Sequence, residues 1–169
     1  MGKAGAARVK SGDLAYATAM QGHEDRVDYV GARRRVRDLP PLVYSPFAAL
    51  EAPDPDAETR TRRPRKDRIM RLERFIHPKH EERNFTIWDS LQAHIAGARK
   101  SKAARKDFLH AFLQYPTDRE LNSARERLML RQAVEFINLT YGGNAVFHAR
   151  LDRAEAGRHG VDVFIAPRY

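Results

Sequence analysis

"DFLHAFLQYP" at 107–116, "TDRELNSARERLMLRQAVEFINLTYGG" at 117–143 and "NAVFHARLDRAEAGRHGVDVFIAP" at 144–167 decide the fold. In the first, Leu109, Ala111 and Leu113 alternate with His110, Phe112 and Gln114 until Pro116 stops the run, the two-residue period of a strand. In the second, Thr-Asp-Arg-Glu has capping-box spacing, and Leu121, Ala124, Leu128, Leu130, Val134 and Ile137 carry an apolar stripe to the glycines that end a helix near Gly142. The third predicts strands over 145–151 and 161–166 around a charged turn. The order β-α-β-β is half of a split βαβ sandwich. It implies an α+β fold of the ferredoxin-like kind, an antiparallel sheet with helices on one face and the other face open.

Alternation places Ala145, Phe147, Ala149 and Leu151 on one side of the first hairpin strand, and Val146, His148, Arg150 and Asp152 on the other. In the last strand Val161, Val163 and Ile165 oppose Asp162 and Phe164. His148, Arg150 and Asp162 then share the open face, with His110 beside them. A histidine and carboxylates on adjacent strands suit Mn²⁺ or Mg²⁺, so His148, His159 and Asp162 form the candidate metal set, whereas Arg150 suits a phosphate oxygen. The plainer reading is that these groups pair across an antiparallel hairpin.

Upstream, "TIWD" at 86–89 is a capping box that opens a helix over 87–99, with Trp88, Leu91, Ile95 and Ala98 along one face. Residues 39–56 hold five prolines and read as a linker or wrapping loop. A basic run follows, with Arg60, Arg62, Arg63, Arg65, Lys66, Arg68, Arg71 and Arg74, either a solvated segment or an arm that tracks phosphates. Near the start, Leu14, Ala17 and Met20 recur at helical spacing behind Ser11 or Asp13 as caps. The chain thus divides into an N-terminal strand and helix segment at 1–38, a Pro-rich loop and basic arm at 39–80, and a core at 81–169.

The 169 residues suffice for one domain with a moderate core. Lys and Arg total 31 against 22 Asp and Glu, a formal charge of +9, which favours a polyanionic partner, DNA before membrane. The absence of cysteine excludes disulfides and thiolate metal sites. With no long apolar run and no signal-peptide pattern, the expected location is the cytoplasm.

Two stretches, "RVKSGDLAYATAMQGHEDR" and "FINLTYGGNAVFHARLDRAEAGRHGVDVFIAP", resemble the Mob/Pre (MobV-type) plasmid mobilisation relaxases of the HUH endonuclease superfamily. The first is similar to that family's short basic strand, small-residue stretch and His-x-x-Arg. The second is similar to its helix end, "yG" turn and the strand pair written H-x-D-E-x-x-P-H-x-H-x-x-x-x-P. The resemblance implies an HUH relaxase-like fold and an enzyme that nicks one strand at a plasmid transfer origin through a covalent protein–DNA intermediate, assisted by a divalent metal on histidines.

By the same resemblance His23 matches the nucleophile, although on composition alone it reads as a surface histidine. Tyr16 is the second candidate and Arg150 a further catalytic one. Arg26 and the arm residues are expected on DNA, as single strand or origin hairpin, and a C-terminal region beyond this sequence is expected to mediate homodimerisation. The metal motif departs from the family's: Arg150 stands at the first histidine, Arg153 or Glu155 near the acidic position, and Gly160 and Asp162 at the paired histidines. Three functions therefore remain open: a relaxase, a non-catalytic nucleic-acid-binding module on the same fold, or an assembly protein with an exposed apolar patch.

Overall fold

The computed structural model describes residues 6–25, 39–47, 72–73, 75–79, 86–98, 106–116, 122–153 and 160–167. In chain order the elements are β1 (Ala6–Gly12), α1 (Leu14–Glu24), β2 (Leu42–Tyr44), β3 (Ile76–Pro78), α2 (Ile87–Ile95), β4 (Phe108–Gln114), α3 (Ser123–Thr140), β5 (Val146–Leu151) and β6 (Gly160–Ile165). The six strands form one sheet in the order β1-β4-β6-β5-β2-β3, with every neighbouring pair antiparallel. The expected α+β class and antiparallel sheet are therefore the observed ones.

Two strands lie inside the segment read as loop and arm. Leu42–Tyr44 pairs with β5 and Ile76–Pro78 pairs with β2, extending the sheet at that edge. Three residues are too few to show a period, and the surrounding prolines mask the run. Pro78 is tolerated because β3 is an edge strand and needs no donor on its outer side.

The long helix α3 packs on one face of the sheet. Met129, Leu130, Ala133, Val134 and Ile137 meet Ala111, Val146, Ala149, Leu151, Val161, Val163 and Ile165 in the main core. Asn122 caps α3 by accepting from Arg125 N, and the Thr-Asp-Arg-Glu stretch read as its cap lies outside the described residues. The buried stripe is also rotated from the expected one. Ala124 is exposed and Leu128 is 38% exposed, because the sheet selects the face centred on Leu130 and Val134. Phe136 and Leu139 remain on the outer surface. The glycine pair does end the helix, with Gly142 and Gly143 at positive φ.

The opposite face is roofed in part by α1 and α2. Ala17, Ile87 and Leu91 pack on Phe108, Phe147 and Phe164. As expected, Thr86 and Asp89 form a reciprocal capping box at the start of α2, and Asp13 caps α1 by accepting from Tyr16 N. The α2 helix is shorter than predicted, ending at Ile95.

A bulge corrects the expected alternation in β5. Val146 pairs with Ile165 but His148 pairs with Phe164, so Phe147 is an extra residue with no opposite number. Val146 therefore joins Ala149 and Leu151 in the main core, and Phe147 turns to the α1/α2 side against Phe108, Phe164 and His94.

Candidate functional site

Beneath α1 the sheet carries a buried polar cluster. His148, Arg150 and Asp162 come from β5 and β6, where Arg150 lies directly across from Asp162. His110 joins from β4. Relative exposure is 1% for Arg150, 2% for His148, 3% for Asp162 and 7% for His110. Isolated charges cannot be held at such depth, so each must have a partner.

The partners form a chain. Arg150 Nε donates to Asp162 Oδ2 at 3.1 Å and Nη1 donates to the Met20 carbonyl at 3.0 Å. Asp162 Oδ1 accepts from His110 Nε2 at 2.8 Å, and His110 Nδ1 lies 2.7 Å from the Tyr16 hydroxyl. On the other side His148 Nε2 meets Glu24 Oε2 at 2.8 Å, and Lys79 Nζ donates to Glu24 Oε1 at 2.9 Å. Lys79 also pairs with Asp25. Arg150 Nη1 is 3.9 Å from Glu24, so its guanidinium sits between two carboxylates.

The charges settle accordingly. Burial pushes the Glu24 carboxyl up, but the charge and hydrogen bond of His148, followed by Lys79 and Arg150, together hold it well below the usual carboxylate range. Burial acts to lower the Arg150 guanidinium, and the charges of Asp162 and Glu24 outweigh it, fixing the cation. Burial and then the Asp162 charge raise the Tyr16 phenol, with Arg150 opposing.

Of the sequence-derived candidates, the structure brings together Tyr16, His148, Arg150 and Asp162. His23 is half-buried on α1, and the next side chain, Glu24, reaches His148. Arg26, His159, Arg60, Arg62, Arg63, Arg65, Lys66 and Arg68 lie outside the described residues.

Glu24 and Lys79 were missed in the sequence. Glu24 had a signal, since Ala17, Met20 or Gln21, and Glu24 continue one helical stripe, with Ala17 and Glu24 buried. The expected stripe began instead at Leu14, which is 52% exposed. Lys79 had none, because its reach to Glu24 depends on where β3 lies. Exposed Arg8 and Lys10 were missed as well. They lie across β1 from Phe112 and His110, and so on the same face as the cluster.

Solved structures of a relaxase domain share this fold. A Mn-bound crystal structure at pH 5.5, described as the MobM relaxase domain (MOBV; Mob_Pre) bound to plasmid pMV158 oriT DNA, matches with a TM-score of 0.56 and 14% identity over 98% of this chain and 71% of that chain. A second, at pH 4.6, gives 0.57 and 13% over the same shares. A third, with a 3′-thiophosphate DNA at pH 6.8, gives 0.56 and 12%. At this identity the likeness establishes the fold. No family model and no curated protein matches the chain.

Those neighbours contain manganese; of the candidate set here, His159 lies outside the described residues, and His148 and Asp162 already hold protein partners. Both Asp162 oxygens are committed, to His110 and Arg150, and His148 Nε2 is committed to Glu24. Among the described residues no group of three His, Cys, Asp or Glu side chains is arranged to hold a metal. A guanidinium at Arg150 cannot ligate one. Also among the described residues, no helix is long and apolar enough to cross a membrane.

Proposed function

We propose that this chain is a DNA-binding relaxase-like domain that nicks one strand at a plasmid transfer origin and holds it covalently, taking single-stranded or hairpin origin DNA. One observation carries the reading. In a fold shared with a relaxase domain crystallised on origin DNA, the helix bearing the candidate nucleophiles lies over the sheet face bearing Arg150, Asp162 and His148. The excess of nine positive charges and the exposed cations Arg8 and Lys10 suit a phosphate backbone. Arg26 and the basic arm are assigned to the same backbone.

A second reading, binding without cutting on the same fold, draws on the partners already held within the cluster: Arg150 donates to Asp162 and the Met20 carbonyl, and His148 meets Glu24. The two part in a nicking assay on a supercoiled plasmid that carries the DNA upstream of this protein's own gene, read together with a salt titration of binding. A nicked product with protein attached supports the first. Tight binding that weakens along a log–log salt slope of about −0.7 to −0.9 per phosphate contact, with no nick, supports the second. Binding absent at low salt removes both.

A further inference from the structure

Phe112 stands on the same sheet face as the polar cluster, because it alternates along β4 with Ala111 and Leu113 and shares the side of His110 and Gln114. It lies outside the aromatic cluster of Phe108, Phe147 and Phe164 beneath α1 and α2. Its place is nearer the β1 edge of the sheet: Arg8 of β1 lies directly across from it on one side, and Asp162 of β6 on the other. The ring leans over β6. A Cβ on Gly160 would overlap Phe112 Cζ and Cε2, so the ring takes the room that a side chain would need at that position. A glycine inside a strand marks such a close approach.

A ring seated on bare backbone is covered on that side. Phe112 is half-buried, so the part of it that solvent reaches faces away from the sheet. Around it stand two exposed cations, Arg8 and, two residues along the same face of β1, Lys10, together with the exposed amide of Gln114. The Asp162 carboxylate across from Phe112 is buried, and its charge is met by Arg150 and His110. The accessible charge beside the ring is therefore positive. Residues on one face of a strand recur about every 7 Å, which spaces Arg8 and Lys10 for successive phosphates of an extended chain. An aromatic face in a basic groove takes nucleobases by stacking, whatever their sequence. In a duplex those base faces are already stacked on one another, so the ligand that fits is an unpaired base.

We propose that Phe112, seated on Gly160, is a stacking platform for one unpaired base of single-stranded DNA, with Arg8 and Lys10 on the adjoining phosphates and Gln114 beside the base edge. The inference rests on the DNA-binding reading above and holds whether or not the strand is cut.

The test is fluorescence anisotropy of the full chain on three labelled probes of one length: oligothymidylate, an abasic sugar-phosphate strand, and a duplex. Wild type should bind oligothymidylate most tightly. Phe112→Leu keeps an apolar cover over Gly160 but has no ring face, and should weaken oligothymidylate binding about 5–150-fold. That loss should vanish on the abasic strand, which a general loosening of the fold would not do. Phe112→Trp should keep the affinity, and its emission should be quenched by the stacked base beyond any response of Trp88, the chain's one tryptophan. Arg8→Ala should lower the log–log salt slope by about 0.7. If Phe112→Leu does not fold, the Phe112→Trp emission carries the test, and an unquenched signal with DNA bound overturns the inference. Oligothymidylate binding unchanged in Phe112→Leu, or an equal loss on the abasic strand, overturns it while leaving the DNA-binding reading in place. No binding of any probe at low salt overturns both.

Discussion

Replacing Arg150 with methionine tests the cluster most directly. The guanidinium is 1% exposed, donates to Asp162 at 3.1 Å and to the Met20 carbonyl at 3.0 Å, and lies 3.9 Å from Glu24. Methionine matches much of its length but supplies no donor and no charge. Asp162 would keep only His110 among the partners described above, and the Met20 carbonyl would lose the Arg150 donor. An orphaned buried polar group costs about 1–3 kcal/mol, and breaking a buried ion pair from one side costs roughly 3–5 kcal/mol in all.

Against a typical domain stability of roughly 5–15 kcal/mol, that is a large share. At about 2–4 °C per kcal/mol for a chain of this size, the midpoint should fall by roughly 6–20 °C. Chemical denaturation with thermal melts is the assay. Adding Asp162→Asn to Arg150→Met should recover part of the loss, because the stranded carboxylate is then gone. The pair should show a coupling energy of about 0.5–3 kcal/mol. A single variant within ~0.5 kcal/mol of wild type would refute the claim that the guanidinium holds the sheet's charges in place.

Glu24→Gln should destabilise the chain by roughly 1.5–3 kcal/mol at neutral pH, since its partners are charged. The folded Glu24 carboxyl is depressed below its ordinary value of 4.5, so its contribution is fully present above that pH and is lost as pH falls toward the folded value. The gap between wild type and variant, followed by urea midpoints, should therefore be constant above about pH 5 and narrow below it. A gap that widens with acid would contradict this sign. Gly12→Ala should lower stability by roughly 1–3 kcal/mol and displace the Tyr16 ring, because its Cβ would overlap Phe108 and Tyr16. Near-wild-type melting with unchanged tyrosine fluorescence would show that the ring gives way freely. Thr86→Ala removes the hydroxyl half of the α2 capping box and should cost about 1 kcal/mol by denaturant titration; an effect indistinguishable from zero would show that the cap is replaced by solvent.

Sequence by itself determined the elements whose signals are local. The β4, α3, β5, β6 order was readable from period and punctuation, because strand alternation, capping residues and a glycine pair at positive φ act over a few residues. It also singled out His148, Arg150 and Asp162, with His110 beside them, since a strand's period of two fixes which side chains share a face.

Tertiary structure decided the rest. Only the sheet could recruit Leu42–Tyr44 and Ile76–Pro78 as strands, because three residues gain their stability from neighbours. Only packing could choose the bulge at Phe147 and the rotation of α3, since both depend on aromatic and aliphatic volumes from distant strands. The pairing of Glu24 with His148 joins residues 124 apart, and that of Tyr16 with His110 joins residues 94 apart. Both partnerships were therefore fixed by how α1 is laid across the sheet, because no local signal in the sequence can pair residues so far apart.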